Sequence, residues 1–128
     1  MLKVDFEKIK NSENFKEIIN NSFLISCFLN ENLESLWEYN FYSKSQNNVS
    51  SFIVKNNQVI LKDTCELVSK KLPKELFLNN LKLEKLNVSS IVDEFISKNY
   101  NNDLISKKMV TIENEDFIIW NIILILKN

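Results

Sequence analysis

The chain has 128 residues, 45% of them apolar, and sixteen basic against seventeen acidic side chains give a formal charge of −1. That length is enough for one domain with a core of its own, without disulfides or metal, and the whole chain 1–128 is read as that domain. The balanced charge, spread along the sequence, provides no field that would draw in nucleic acid or an anionic membrane.

The N-terminal MLKVDFEKIKN is charged throughout and has no apolar centre, unlike a signal peptide. In SENFKEIINN, residues 12–21, Phe15, Ile18 and Ile19 recur at helical spacing behind Ser12 as an N-cap, which predicts a short amphipathic helix. SFLISCFLN at 22–30 is a β-branched and aromatic run that reads as a central strand. In WEYNF, Trp37, Tyr39 and Phe41 alternate with Glu38 and Asn40, so the three rings share one face of the next strand. SKSQNN at 43–48 is a polar loop, and Val49 to Lys55 forms another strand. Asn56-Asn57 then turns the chain into Gln58–Leu61, because after glycine asparagine best tolerates a left-handed backbone.

DTCELVSKKL at 63–72 permits a helix closed by Pro73, and KELFLNNLKLEKL after it fits strand and helix alike. NVSSIVDEFISKN at 87–99 carries Ile91, Val92, Phe95 and Ile96 in one stripe, with Ser90 and Asp93 at capping-box spacing, and predicts the second amphipathic helix. KKMVTI at 107–112, a turn over Glu113 to Asp116, and FIIWNIILIL with its final residue at 126 make a hairpin. Its second strand, 117–126, is almost wholly apolar. The reading places it in the middle of the sheet, with pairing to a second copy of the chain as the alternative. Short helix, strands and a Trp motif occur in each half, a weak internal symmetry with unequal offsets.

Four residue types are absent: glycine, alanine, histidine and arginine. Asparagine occurs twenty times and lysine is the only cation, a bias that fits an AT-rich genome. The bias also removes chemistry. Without glycine there is no phosphate-cradling loop or nucleophile elbow, and without histidine the usual general base and metal ligand are gone. No serine has a lysine three residues on. Cys27 and Cys65 are read as free thiols, too few for a zinc site, so no cofactor or metal is expected. The remaining acids, Glu38 beside Trp37 and the group Glu113, Glu115 and Asp116, read as solvated strand and turn residues. The triplets at Asn20, Asn48 and Asn87 match the glycosylation pattern, but chance accounts for them in so Asn- and Ser-rich a chain. The expectation is that the protein is not an enzyme.

The row Trp37, Tyr39 and Phe41 could stack bases, but Glu34 and Glu38 occupy the place of the basic groove that such platforms need. Core packing under the helices is the preferred reading of the rings.

The WEYNFYSKSQNNVSSFIV stretch, the KLNVSSIVDEFISK helix and the closing VTIENEDFIIWNIILI hairpin resemble small archaeal PepSY-like (cystatin-like) proteins over roughly residues 12–126. The resemblance implies an α+β fold with an antiparallel sheet curling around helices and, by analogy with PepSY domains of protease propeptides, binding to a protease.

Together these readings predict an α+β domain with a single antiparallel sheet of five to seven strands and two short amphipathic helices packed on one face. Functionally they predict a cytoplasmic protein- or peptide-binding module, monomeric or homodimeric, with Trp37, Tyr39, Phe41 and Trp120 as the candidate partner surface. The alternative is a carrier of a small apolar ligand, held in a cavity lined by Trp37, Phe41, Phe95 and Trp120. Neither nucleic acid nor membrane is expected as a partner.

Overall fold

A computed structural model describes residues 2–30, 36–69, 71–78, 88–99, 105–114 and 118–126. Three short helices, α1 (Leu2–Lys10), α2 (Lys16–Asn20) and α3 (Val88–Asn99), accompany six strands: β1 (Phe23–Asn30), β2 (Trp37–Ser43), β3 (Asn48–Lys55), β4 (Gln58–Glu66), β5 (Ile105–Asn114) and β6 (Ile118–Leu126). The strands form one antiparallel sheet in the order β4-β3-β2-β1-β5-β6. The chain is therefore α+β with a single sheet of six strands.

The first four strands are a meander joined by turns that the asparagines make without glycine. Asn47, Asn56 and Asn57 have φ of 50°, 51° and 63°, and the Asn56–Asn57 pair closes the two-residue loop between Lys55 and Gln58. Two consecutive left-handed residues match the right-handed twist of the flanking strands, the property that favours this turn in hairpins. Asn47 also ties the next segment down. Its carbonyl accepts from Leu67 N at 3.0 Å, and its Nδ2 donates to Leu67 O at 3.1 Å.

Three placements differ from the sequence reading. Residues 2–10 form a helix whose buried Leu2 and Ile9 enter the core; the five charged residues interspersed among the apolar ones mask their spacing. Residues 63–66 continue β4, because Asp63, Thr64, Cys65 and Glu66 pair with Ser51, Ser50, Val49 and Asn48. There a strand partner outweighs local helix propensity, which is a weak preference of less than about 1 kcal/mol per residue. Most consequentially, β6 lies at the rim of the sheet and β1 takes the central seat, between β2 and β5. Among the described residues the apolar run 118–126 has a strand neighbour on one side only, β5.

The core lies between the sheet and the helices. Leu2 and Ile9 of α1, Ile19 of α2, Leu24 and Cys27 of β1, Tyr39 and Phe41 of β2, Phe52 and Val54 of β3 and Ile112 of β5 bury against one another, with Leu76 and Leu78 closing one end. There Leu76 N donates to Leu24 O at 2.7 Å, and Asn114 Nδ2 donates to Glu75 O at 2.9 Å. A second cluster joins Ile96 of α3 to Leu29 and Val110, with Trp37, Trp120 and Leu124 packed at its margin.

Candidate functional site

The aromatic row of β2 is the floor of the core. Phe41 stacks on Phe6 of α1 at 6.1 Å and meets Phe52 edge-on at 5.6 Å, and Phe52 in turn meets Phe15 at 5.3 Å. Tyr39 is 0% exposed and Phe41 3%, so neither ring is available to a partner. Of the four candidate surface residues, only Trp37 and Trp120 remain partly exposed. The alternation that placed the rings on one face was informative, but the face is the one that the helices cover.

Of the residues of the expected ligand cavity, Trp37, Phe41 and Trp120 belong to one packed cluster. Phe41 is enclosed by other rings, whereas Phe95 of α3 is 48% exposed. An open groove of about 950 Å³ runs between α1 and the β3–β4 turn along Lys3, Val4, Glu7, Asn57 and Val59.

Tyr39 anchors α1 to the sheet: its hydroxyl donates to Leu2 O at 3.2 Å and lies 3.4 Å from Asp5 Oδ2. Burial, and then the charge of Asp5, pushes the phenol above its ordinary range. Burial likewise raises the thiol of Cys27. A thiol held protonated in an apolar core is a small hydrophobe and not a nucleophile.

The opposite face of the sheet carries a transverse polar row. Ser26, Asn40 and Ser51 are cross-strand neighbours on β1, β2 and β3. Asn40 Nδ2 donates to Ser26 Oγ at 2.9 Å, and Ser51 Oγ donates to Asn40 Oδ1 at 2.6 Å. Glu113 of β5 sits opposite Ser26 and accepts from Asn121 Nδ2 of β6 at 3.2 Å. Glu38 on the same face is ion-paired with Lys62 at 3.3 Å. Each of these groups has a partner on another strand, so the row stitches the strands together. Among the described residues no three His, Cys, Asp or Glu side chains come together as metal ligands would. Glu115 and Asp116 lie outside the described residues.

The two rims of the sheet differ. β4 carries Lys62, Asp63 and Glu66, and its pairing with β3 is broken by a bulge between Ser51 and Phe52. Charges and bulges are the usual devices that stop a rim from adding another strand. β6, IIWNIILIL, has neither charge nor proline over nine residues, and Ile122, Ile123 and Ile125 are 37%, 48% and 42% exposed. Its outward N–H and C=O groups have no strand beside them among the described residues. The signal for this edge is present in the sequence, as the longest nearly unbroken apolar run, but such a run looks the same whether a strand is central or waits for a partner.

The chain matches no family model, no curated protein and no solved structure. Among the described residues, no helix is long and apolar enough to cross a membrane.

Proposed function

We propose that the protein is a non-enzymatic protein-binding module that works by strand addition at β6. The observation that carries this reading is the contrast between its rims, a charged and bulged β4 against an uncharged, proline-free β6 with three half-exposed isoleucines. In strand addition the main-chain bonds of the rim supply affinity, and side chains on alternating faces supply specificity. Here Trp120, Ile122 and Leu124 would line the helix side of the added strand, and Ile119, Ile123 and Ile125 the other. A non-catalytic role is supported by the buried Cys27, the paired Glu38 and the mutually bonded polar row.

The test uses a synthetic peptide copying residues 118–126 with added lysines at both ends for solubility. Made with Phe in place of its own Trp and titrated into the protein, it should quench or shift the protein's tryptophan emission saturably. The same peptide methylated on alternate backbone nitrogens should bind at least about tenfold more weakly, since strand addition depends on those bonds. Equal binding of the two peptides, or none by either at a dilution where the protein is monomeric, rules the reading out.

A further inference from the structure

The β6 edge also specifies its own occupant, and we infer that this is a second copy of the chain, two β6 strands pairing antiparallel about a two-fold axis at Ile122. The inference rests on β6 being a strand-adding edge. Three features then select a second copy.

The first is symmetry of pattern. A two-fold axis normal to the sheet keeps each face on its own side, so even residues meet even and odd meet odd. Centring it on Ile122 uses all nine residues, a seam of about 30 Å. It sets Ile122 against its own copy, Trp120 against Leu124, Ile119 against Ile125, and Asn121 against Ile123. On the helix side, Trp120 and Leu124 already pack at the margin of the Ile96 cluster. The seam would join that margin to its counterpart in the second copy as one apolar layer.

The second feature is charge. Strand 118–126 has no ionised side chain, so self-pairing opposes no like charges, the ordinary obstacle to two identical strands lying side by side. Asn121, the one polar residue, is already engaged by Glu113 of its own chain.

The third is closure. A head-to-tail contact of β6 on β4 would set Lys62, Asp63 and Glu66 beside isoleucines and, because the two surfaces differ, would propagate into a filament. Self-pairing of β6 closes after two copies and leaves only the guarded β4 rims outermost, in a continuous sheet of β4-β3-β2-β1-β5-β6 and its mirror order.

The experiment is light scattering on the purified full chain across a concentration series, together with a cross-link. In an antiparallel pair, opposed residues have Cα atoms about 4.5–5.5 Å apart, within disulfide reach. A Cys65→Ser, Ile122→Cys variant should therefore oxidise to a covalent dimer. A Cys65→Ser, Ile60→Cys control on the β4 rim should stay monomeric. The wild type should scatter at twice the monomer mass, and Ile122→Lys, which opposes two lysines at the axis, should weaken association at least about tenfold. The cross-link decides the matter should Ile122→Lys fail to fold. A wild type that is monomeric throughout the series, or a dimer that does not cross-link at 122, overturns the inference. The β6 peptide still binding to such a protein would leave strand addition standing and point to a different partner, whereas loss of peptide binding as well removes both.

Discussion

Replacing Tyr39 with Phe keeps the ring and deletes one oxygen, so it isolates what ties α1 to the sheet. The oxygen lies 3.2 Å from Leu2 O and 3.4 Å from Asp5 Oδ2, beside a ring that is 0% exposed. A buried hydrogen bond contributes about 0.5–1.5 kcal/mol net, and one to a charged acceptor somewhat more. Both contacts are long for a hydroxyl, so the variant should be less stable by about 1–2 kcal/mol at pH 7. The deficit depends on pH. Burial first, then Asp5 and Cys27, raise the folded phenol above its ordinary value of 10.0. The unfolded chain ionises above about pH 10 while the folded one stays protonated, so the unfolded state binds fewer protons there and wild-type stability falls as pH rises. At pH 11 that loss amounts to about 1.4 kcal/mol, and the Phe variant does not suffer it. Urea unfolding followed by circular dichroism at pH 7, 9 and 11 should show the two proteins converging. A variant as stable as the wild type at pH 7, or a deficit that is constant with pH, would refute the role assigned to the hydroxyl.

Cys27→Val, which keeps an apolar side chain at the site, should escape a loss of stability that the wild type shows about one pH unit lower than for Tyr39. The thiol is raised from 9.0 by burial, so stability relative to the variant declines above about pH 9, by about 1.4 kcal/mol at pH 10. Asn57, at φ 63°, should accept Gly with unchanged or slightly higher stability, whereas Asn57→Val should cost about 1–2 kcal/mol in the same unfolding assay, the penalty of a β-branched residue in the left-handed region. Ile122→Lys should remain folded as a monomer. Ile122 is 37% exposed at the rim, and a lysine stem can cover the apolar surface while its ammonium reaches water, so the cost should be about 1 kcal/mol. In a strand with neighbours on both sides the same change would bury an unpaired charge and unfold the domain, and loss of cooperative unfolding would show that β6 is internal.

The sheet was legible where side chains alternate and turns carry asparagine. Trp37, Tyr39 and Phe41 announce β2 because their period of two is set by the pleat, and Asn56-Asn57 announces the β3–β4 hairpin because few residues take a positive φ. What stayed hidden depends on neighbours distant in sequence. The helical spacing of Leu2 and Ile9 is diluted by the charged residues between them. Residues 63–66 become strand because β3 is beside them. The rim position of β6 is not legible in the sequence, because an apolar run reports that water is disliked on both faces and says nothing of how many strands lie alongside. The candidate surface shifted for a related reason: alternation puts Tyr39 and Phe41 on a common face without saying that α1 covers it.

Residue-resolved amide hydrogen exchange along β6, in the wild type and in Ile122→Lys, tests strand addition most directly. In the variant, amides turned toward β5 should be protected and those turned outward should exchange fast, an alternation with period two along 118–126. In the wild type at a concentration where it self-associates, the outward amides should become protected as well and the alternation should vanish. Outward amides that exchange equally fast in both proteins at every concentration would mean that nothing adds to this edge, and would contradict the account.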